Sequence, residues 1–347
     1  MITVLSFILV FSIVAIVHEL GHFIAAKRSG IDVYEFALGI GPRIFSFRPG
    51  KTTYALNLFP IGGYVKVAGI DPEQDEPGTP EENKYYNKPV FAKFKTIIAG
   101  ASMNFLLGFI LIYIIILFAG MPVGTSNTIF AVAPGSEAEK IGLQSGDKIL
   151  MLNGQEIKDM QAAVKIIHKS GGQKVSLKVE RAGKIKLFSA VPEYNEKLKA
   201  AYIGFSLKPI YEKIGPLSAI WAATKETGMM IFLLLVILFK LFTGQLALGN
   251  LAGPVGIAQM SGQYARAGFL SFLSFIAFFN INVGIINLLP IPALDGGRLV
   301  FIGIEALRRK PIDIRKENKV HYWGIIVLLS ILAVVTVNDV IRIFFRR

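Results

Sequence analysis

The sequence predicts a polytopic α-helical membrane protein with four transmembrane helices, a membrane-associated β-hairpin and one small inserted α+β domain. Three observations carry this expectation. Of the 347 residues, 53% are hydrophobic and only 18% charged, more apolar than a soluble domain usually is. Several stretches approach the roughly 20 apolar residues needed to cross a hydrocarbon core. Between them, residues 125–209 change to short strands and helices with a charged surface, the pattern of an independent soluble unit.

The first span covers about 2–26 and is closed by Lys27-Arg28-Ser29-Gly30. It lacks a basic leader and a small-residue cleavage site, so it is expected to be retained and not removed as a signal peptide. Tyr54–Val65 is rich in aromatic and branched residues and is broken by Pro60 and Gly62-Gly63, which predicts a hairpin over about 53–66. A Pro- and Glu-rich loop over 71–88 leads to the second span, about 96–119, through an amphipathic approach at Phe91 and Phe94. These elements make an N-terminal membrane part, 1–120. The insert at 125–209 reads strand, short helix, strand, an Asn153-Gly154 turn, helix, then two strands about Arg181-Ala182-Gly183. A C-terminal membrane part, 210–347, carries apolar blocks at 229–242, 269–292 and 323–341.

The formal charge of +13 raises nucleic acid as a partner. Much of the Lys and Arg, however, flanks the apolar blocks, at 27–28, 88–95 and 298–319. Basic residues there orient spans towards the cytoplasm, and no basic groove interleaved with aromatics is present, so no nucleic-acid partner is expected. There is no cysteine, which excludes disulfides and thiolate chemistry. Any zinc site must therefore draw on carboxylates and four histidines, His18, His22, His168 and His321.

His18-Glu19-Leu20-Gly21-His22 is an HExxH pattern. Residues i and i+4 share a helix face, so both imidazoles can meet one zinc ion, with Glu19 beside them as general base. In a soluble helix such a match often arises by chance. Within a span, each ionisable group costs at least about 2.5–3.5 kcal/mol on insertion scales. Three such groups in five residues call for a compensating cation. A third protein ligand is needed, and the candidates are Asp295, in Asn287-Leu288-Leu289-Pro290-Ile291-Pro292-Ala293-Leu294-Asp295-Gly296-Gly297, and Asp339 near the end of the last block.

These two motifs, in this order, resemble the site-2 protease family of intramembrane zinc metalloproteases, in its bacterial branch with a PDZ domain. The family pattern N-x-x-P-x-P-x-L-D-G is matched at Asn287, Pro290, Pro292, Leu294, Asp295 and Gly296. The resemblance implies that Asp295 is the third Zn2+ ligand and that Asn287, Pro290 and Pro292 help bind unwound substrate. Gly39-Ile40-Gly41-Pro42 is similar to the family's glycine-rich segment. Tyr54–Val65 corresponds to its membrane-associated hairpin, with Tyr54 and Asn57 as further substrate contacts. Ala133–Ala138 and Gly142–Ile149 resemble bacterial PDZ domains, and Tyr202-Ile203-Gly204-Phe205 looks like a carboxylate-binding loop, which makes Ile203, Gly204 and Phe205 candidates for capturing a peptide C-terminus. Exclusion of bulky substrates is the competing role. About 85 residues accommodate one PDZ domain, where some relatives carry two.

Topology follows from depth. If the first span starts outside, its ~1.5 Å rise per residue puts His18 and His22 near the inner end, beside Lys27 and Arg28. The second span returns outward and leaves the insert extracytoplasmic. For Asp295 to reach the histidines, the span at about 267–292 must run inward. The 14 apolar residues at 229–242 are short for a crossing, so about 217–243 is expected to be an interfacial or re-entrant helix, and the last span covers about 322–342. Arg342, Arg346 and Arg347 then fall outside, against the positive-inside rule. The expected function is cleavage of transmembrane proteins in a bacterial inner membrane, such as an anti-sigma factor or a remnant signal peptide, by a monomer embedded in the lipid bilayer. A zinc-binding membrane transporter or scaffold is the alternative. A transporter would be expected to show an internal repeat and further buried polar groups, and neither is visible.

Overall fold

A computed structural model of the chain describes residues 1–157, 160–195, 200–246 and 252–344. It divides into two compact units, Leu117–Gly215 and the remainder.

The larger unit is a helical bundle with a small sheet. Helix α1 (Ile2–Arg28) is followed by strands β1 (Val33–Phe47) and β2 (Thr53–Val67), then by α2 (Val90–Ala119). The hairpin is longer than predicted and begins some twenty residues earlier, because Gly39-Ile40-Gly41-Pro42 lies inside β1. Both strands fold back on themselves. Phe36 pairs with Val65 on one side and Tyr54 on the other, and Tyr54 pairs in turn with Phe47. The result is four segments in the order 63–67, 33–40, 53–59, 43–47, with edges at 63–67 and 43–47. Ile40, Ile44, Phe45, Phe47, Leu58 and Phe59 are exposed, an apolar surface suited to lipid.

After the second unit come α5 (Pro216–Phe242), α6 (Pro254–Arg266), α7 (Phe269–Asn287), α8 (Asp295–Arg308) and α9 (Ile314–Phe344). Among the described residues, five helices, α1, α2, α5, α7 and α9, are long and apolar enough to cross a membrane. The expectation at 217–243 matches α5 in place. At 27 residues and about 40 Å, however, its length no longer argues against crossing. Helices α6 and α8 were absent from the sequence reading. The tail residues Arg346 and Arg347 lie outside the described residues.

Directions follow from contacts. His22 Nδ1 meets the Thr96 carbonyl at 2.8 Å, while Leu111 packs with Val10 and Val14, so α2 runs antiparallel to α1. Phe275 and Ile276 join that same cluster, and Asn287 reaches His18, so α7 runs parallel to α1. At the His22 end, Ala26, Ile31, Val67, Tyr85, Ile97 and Ile302 form a second core. There the buried Lys93 of α2 reaches both Glu305 oxygens of α8, at 2.8 and 2.9 Å.

In the second unit, β3 (Met121–Val132) and β4 (Lys148–Leu152) flank α3 (Glu137–Lys140). Then come β5 (Gln155–Glu156), α4 (Met160–Lys169), β6 (Val175–Arg181), β7 (Lys184–Ala190), β8 (Glu193–Asn195), β9 (Ala200–Tyr202) and β10 (Phe205–Glu212). The main sheet has the order β10-β3-β4-β6-β7. Positive φ at both Asn153 and Gly154, and at both Ala182 and Gly183, marks two tight hairpin turns. Ile129, Ile149, Leu152, Val175, Leu177 and Val179 fill the core.

Asp147, 1% exposed, lies 2.6 Å from both Nε and Nη2 of Arg181. Burial raises its carboxyl pKa, but Arg181 and the Gln144 amide outweigh this and hold it below the usual value. A depressed folded pKa adds stability above the unfolded value of about 3.9 and loses it as pH falls through the folded one. Arg181→Ala leaves the carboxylate buried and is expected to cost about 3 kcal/mol. Denaturant unfolding of the full chain in detergent, followed by proteolysis of this unit, should show that loss at pH 7 and a smaller one as pH falls through the depressed value of Asp147.

Candidate metal centre

The site begins on α1, where the i,i+4 spacing turns His18 and His22 to one face. Gly100 of α2 faces them. A Cβ there would sit 2.4 Å from His22 Nε2 and 2.7 Å from His18 Cε1, so only glycine leaves room for both rings. Asp295 comes from the first turn of α8, where a carboxylate suits the helix dipole. A Cβ on Gly296 would lie 2.1 Å from the Leu289 carbonyl oxygen. The close approach of α8 to the 288–291 backbone, which brings Asp295 back towards α1, therefore requires that glycine.

The three side chains converge. Asp295 Oδ2 lies 3.2 Å from each Nε2 of His18 and His22, and the two Nε2 atoms are 3.1 Å apart. Among the described residues they form the one group of His, Cys, Asp or Glu side chains placed to hold a metal ion. A tetrahedral zinc with bonds of about 2.0–2.1 Å keeps nitrogen and oxygen ligands roughly 3.3 Å apart, which this triangle matches. Asp295 Oδ2 is buried with no directed hydrogen bond, as expected of an atom that faces a cation. The residues present fit zinc.

Groups behind the triangle set the histidine tautomers. His22 donates from Nδ1 to the Thr96 carbonyl at 2.8 Å, which leaves its Nε2 lone pair free. The side-chain amides of Asn104 and Asn287 each lie 3.4 Å from His18 Nδ1. Asn104 is fully buried and its Oδ1 has no partner. Amide orientation is assigned from the hydrogen-bond network. With Oδ1 turned to the His18 Nδ1 proton, both groups are satisfied and Nε2 is freed to ligate. Thr96, Gly100 and Asn104 escaped the sequence reading, since nothing local marks them.

A cavity of about 430 Å³ opens on the triangle, with Glu19, Asn287, Tyr64, Val65 and Arg298 among its walls. The Glu19 carboxylate faces the backbone of Val65, on the 63–67 edge of the sheet. The other predicted residues lie apart. Asn57 is buried in the inner 53–59 segment and donates to the Gly39 carbonyl, while Tyr54 packs against Phe23, Phe36 and Phe47. Pro290 and Pro292 form the turn between α7 and α8, outside the cavity lining. Asp339 accepts from the Gly256 amide at 2.8 Å, at the opposite end of the bundle, so it does not join the histidines. In the second unit, Phe205 lines a groove with Leu207, Val164, Lys165 and the exposed His168. The carbonyls of Ile203 and Gly204 are taken by the amides of Ala138 and Ala133.

The family profile described as Peptidase family M50 matches residues 6–331. The chain is 33% identical to the Regulator of sigma-W protease RasP of Bacillus subtilis (strain 168), over 99% of each chain. It is 34% identical to a putative zinc metalloprotease of Clostridium acetobutylicum over 96% of each chain, and 34% identical to one of Fusobacterium nucleatum over 99% of each. Among solved structures, the PDZ domain of the SdrC-like protein from Listeria monocytogenes matches at 22% identity and a TM-score of 0.22, covering 24% of this chain and 86% of that one.

Replacing Asn104 with alanine removes the acceptor behind His18 and should weaken zinc binding by about 10–100-fold, read by competition with a chelator. Gly100→Ala should abolish binding in the same assay.

Proposed function

The chain belongs to peptidase family M50, and from that membership we propose that His18, His22 and Asp295 hold the zinc ion of this zinc metalloprotease while Glu19 moves the protons of peptide hydrolysis. The observation that carries the reading is the triangle of two imidazole nitrogens and one carboxylate oxygen with sides of 3.1–3.2 Å. When bound, zinc supplies Lewis acidity and makes a water molecule acidic enough to attack near neutral pH. Glu19, on the same cavity wall, takes a proton from the attacking water and returns it to the leaving amide nitrogen. Family membership sets aside the transporter or scaffold alternative.

The substrate is a transmembrane segment. Within a helix its amides are hydrogen-bonded and shielded, so it must unwind before attack, and bare backbone in lipid needs partners. The 63–67 edge has no strand on its cavity side, where the Val65 backbone meets Glu19, and offers them by strand addition, with Asn287 lining the same cavity. This assigns substrate pairing to the 63–67 edge, while Tyr54 and Asn57 support the sheet behind it. Membrane-anchored regulators of sigma factors and remnant signal peptides are the expected substrate classes. In the second unit, read as a PDZ domain, the free edge of β10 facing α4 would receive a peptide strand against Phe205 and Leu207.

The chain crosses the membrane four times, with the second unit outside the cytoplasm, and α5 does not make a net crossing. Two observations support this. Pro216 begins α5 four residues after Glu212, which pairs with Met121, two residues beyond the end of α2. After α5, Gly253 and Gly262 lie against Asp339 and Thr3, at the bundle end opposite the metal centre. Both flanks of α5 therefore belong to one side.

Glu19→Gln should retain zinc and cut cleavage of a model transmembrane substrate in detergent by about 10²–10⁴-fold. Unchanged cleavage would remove Glu19 from the mechanism, and full zinc content in Asp295→Ala would remove Asp295 as a ligand. Because the chain has no cysteine, single cysteines report sidedness without background. In sealed vesicles, Gln245→Cys should react with an impermeant thiol reagent from the same side as Thr125→Cys. Labelling from opposite sides would mean that α5 crosses.

A further inference from the structure

We propose that His321 is a positioning residue of the metal centre, because it holds the strained turn that delivers Asp295. This rests on Asp295 being a zinc ligand. The chain between α7 and α8 turns at Ile291-Pro292-Ala293-Leu294, closed by the Leu294 amide donating to the Ile291 carbonyl at 3.1 Å. Proline at the second position and a positive φ at the third define a type II turn, whose third position calls for glycine. The residue there is Ala293, with φ +86, a conformation that disfavours a side chain and persists only where its surroundings impose it.

Helix α9 supplies that constraint. The Ala293 amide, which is not used to close the turn, donates to Nδ1 of His321 at 3.0 Å. His321 is 6% exposed. One helical turn further along the same face, a Cβ on Gly324 would fall 2.5 Å from the carbonyl carbon and oxygen of Pro292, so α9 lies directly on the turn. The turn is thus held by a hydrogen bond and by backbone contact, both from one face of α9. Two residues on, Asp295 must present Oδ2 to both histidines at 3.2 Å. Accepting at Nδ1 fixes the proton of neutral His321 on Nε2, which is buried without a partner. A buried polar group left unmatched in this way is costly, so the hydrogen bond that the ring makes is the one at Nδ1.

A purely packing role would depend on size, whereas the proposed role depends on an acceptor at the Nδ1 position. In the full-length protein in detergent, His321→Leu should weaken zinc binding by about 10–100-fold against a competing chelator, with cleavage restored by added zinc. His321→Asn, whose Oδ1 stands near the place of Nδ1, should bind zinc close to the wild type. Ala293→Gly in the His321→Leu background should recover most of the lost affinity, because glycine needs no external hold at positive φ. Wild-type affinity in His321→Leu, or no recovery on adding Ala293→Gly, would overturn the proposal. If His321→Leu fails to fold, a folded His321→Asn with zinc lost overturns it equally. Zinc retained in Asp295→Ala would sink the ligand set itself, whereas zinc lost there but unchanged in His321→Leu sinks only the role of His321.

Discussion

Two imidazole nitrogens and a carboxylate oxygen meet with sides of 3.1–3.2 Å, and this confrontation is what the rest of the structure serves. With their lone pairs turned inward, the three atoms repel unless a cation sits among them, and the apolar setting magnifies that repulsion. Each neighbouring feature keeps the lone pairs pointed in. The Thr96 carbonyl holds His22 from behind, Gly100 gives up its side chain to admit both rings, and Gly296 lets α8 press against the 288–291 backbone. The Lys93–Glu305 pair ties α8 to α2. Buried ion pairs often add little net stability. This one joins the helix that carries Asp295 to the helix that faces the histidines, so its value lies in registration.

Placing such a centre in lipid raises a second problem, which the sheet resolves. A helix entering the site satisfies its own amides and offers none for attack. An unwound segment exposes amides that the hydrocarbon cannot satisfy. An unpaired strand edge beside the centre stabilises the unwound form specifically, so it lowers the cost of the state that can react. The apolar residues exposed elsewhere on the hairpin let the sheet sit where that edge is needed. On the proposed function, metal centre and sheet edge act as one device, in which the first would activate water and the second would present the peptide.

What was legible in the sequence was what local rules determine. The i,i+4 spacing of His18 and His22 is a property of any helix, and their improbability within a span gave the spacing meaning. The Asn153-Gly154 turn needed only its own φ preferences, and the observed values of +49° and +77° are those such a pair adopts readily. Strand order was not legible. Tyr54 and Asn57 lie in the right hairpin but on an inner segment, because the fold-back that makes 63–67 the edge depends on Gly39–Pro42 being strand and not loop. Asn104 and His321 were missed for another reason. Their partners lie 86 and 28 residues away, and an asparagine or histidine in an apolar stretch carries no sign of which backbone or ring it will meet. Helix α5 lies where the sequence placed a helix, but its 27 residues remove the argument against crossing that rested on an apolar block of 14.

The metal centre also constrains topology, because its ligands come from opposite ends of the sequence. Helix α1 runs towards the centre from the Thr3 end, and α7 must run the same way for Asp295 to follow it. Between these two parallel helices the chain must return a net odd number of times. Helix α2 supplies one return, so under the proposed topology whatever α5 does would cancel. A single uncompensated crossing by α5 would leave α7 starting beside the histidines and Asp295 emerging about 30 Å away, across the hydrocarbon. On the proposed four-span topology, the contact of α6 with Thr3 and Asp339, far from the chemistry, would serve catalysis. It pins the chain to the side from which α7 can only run towards the histidines.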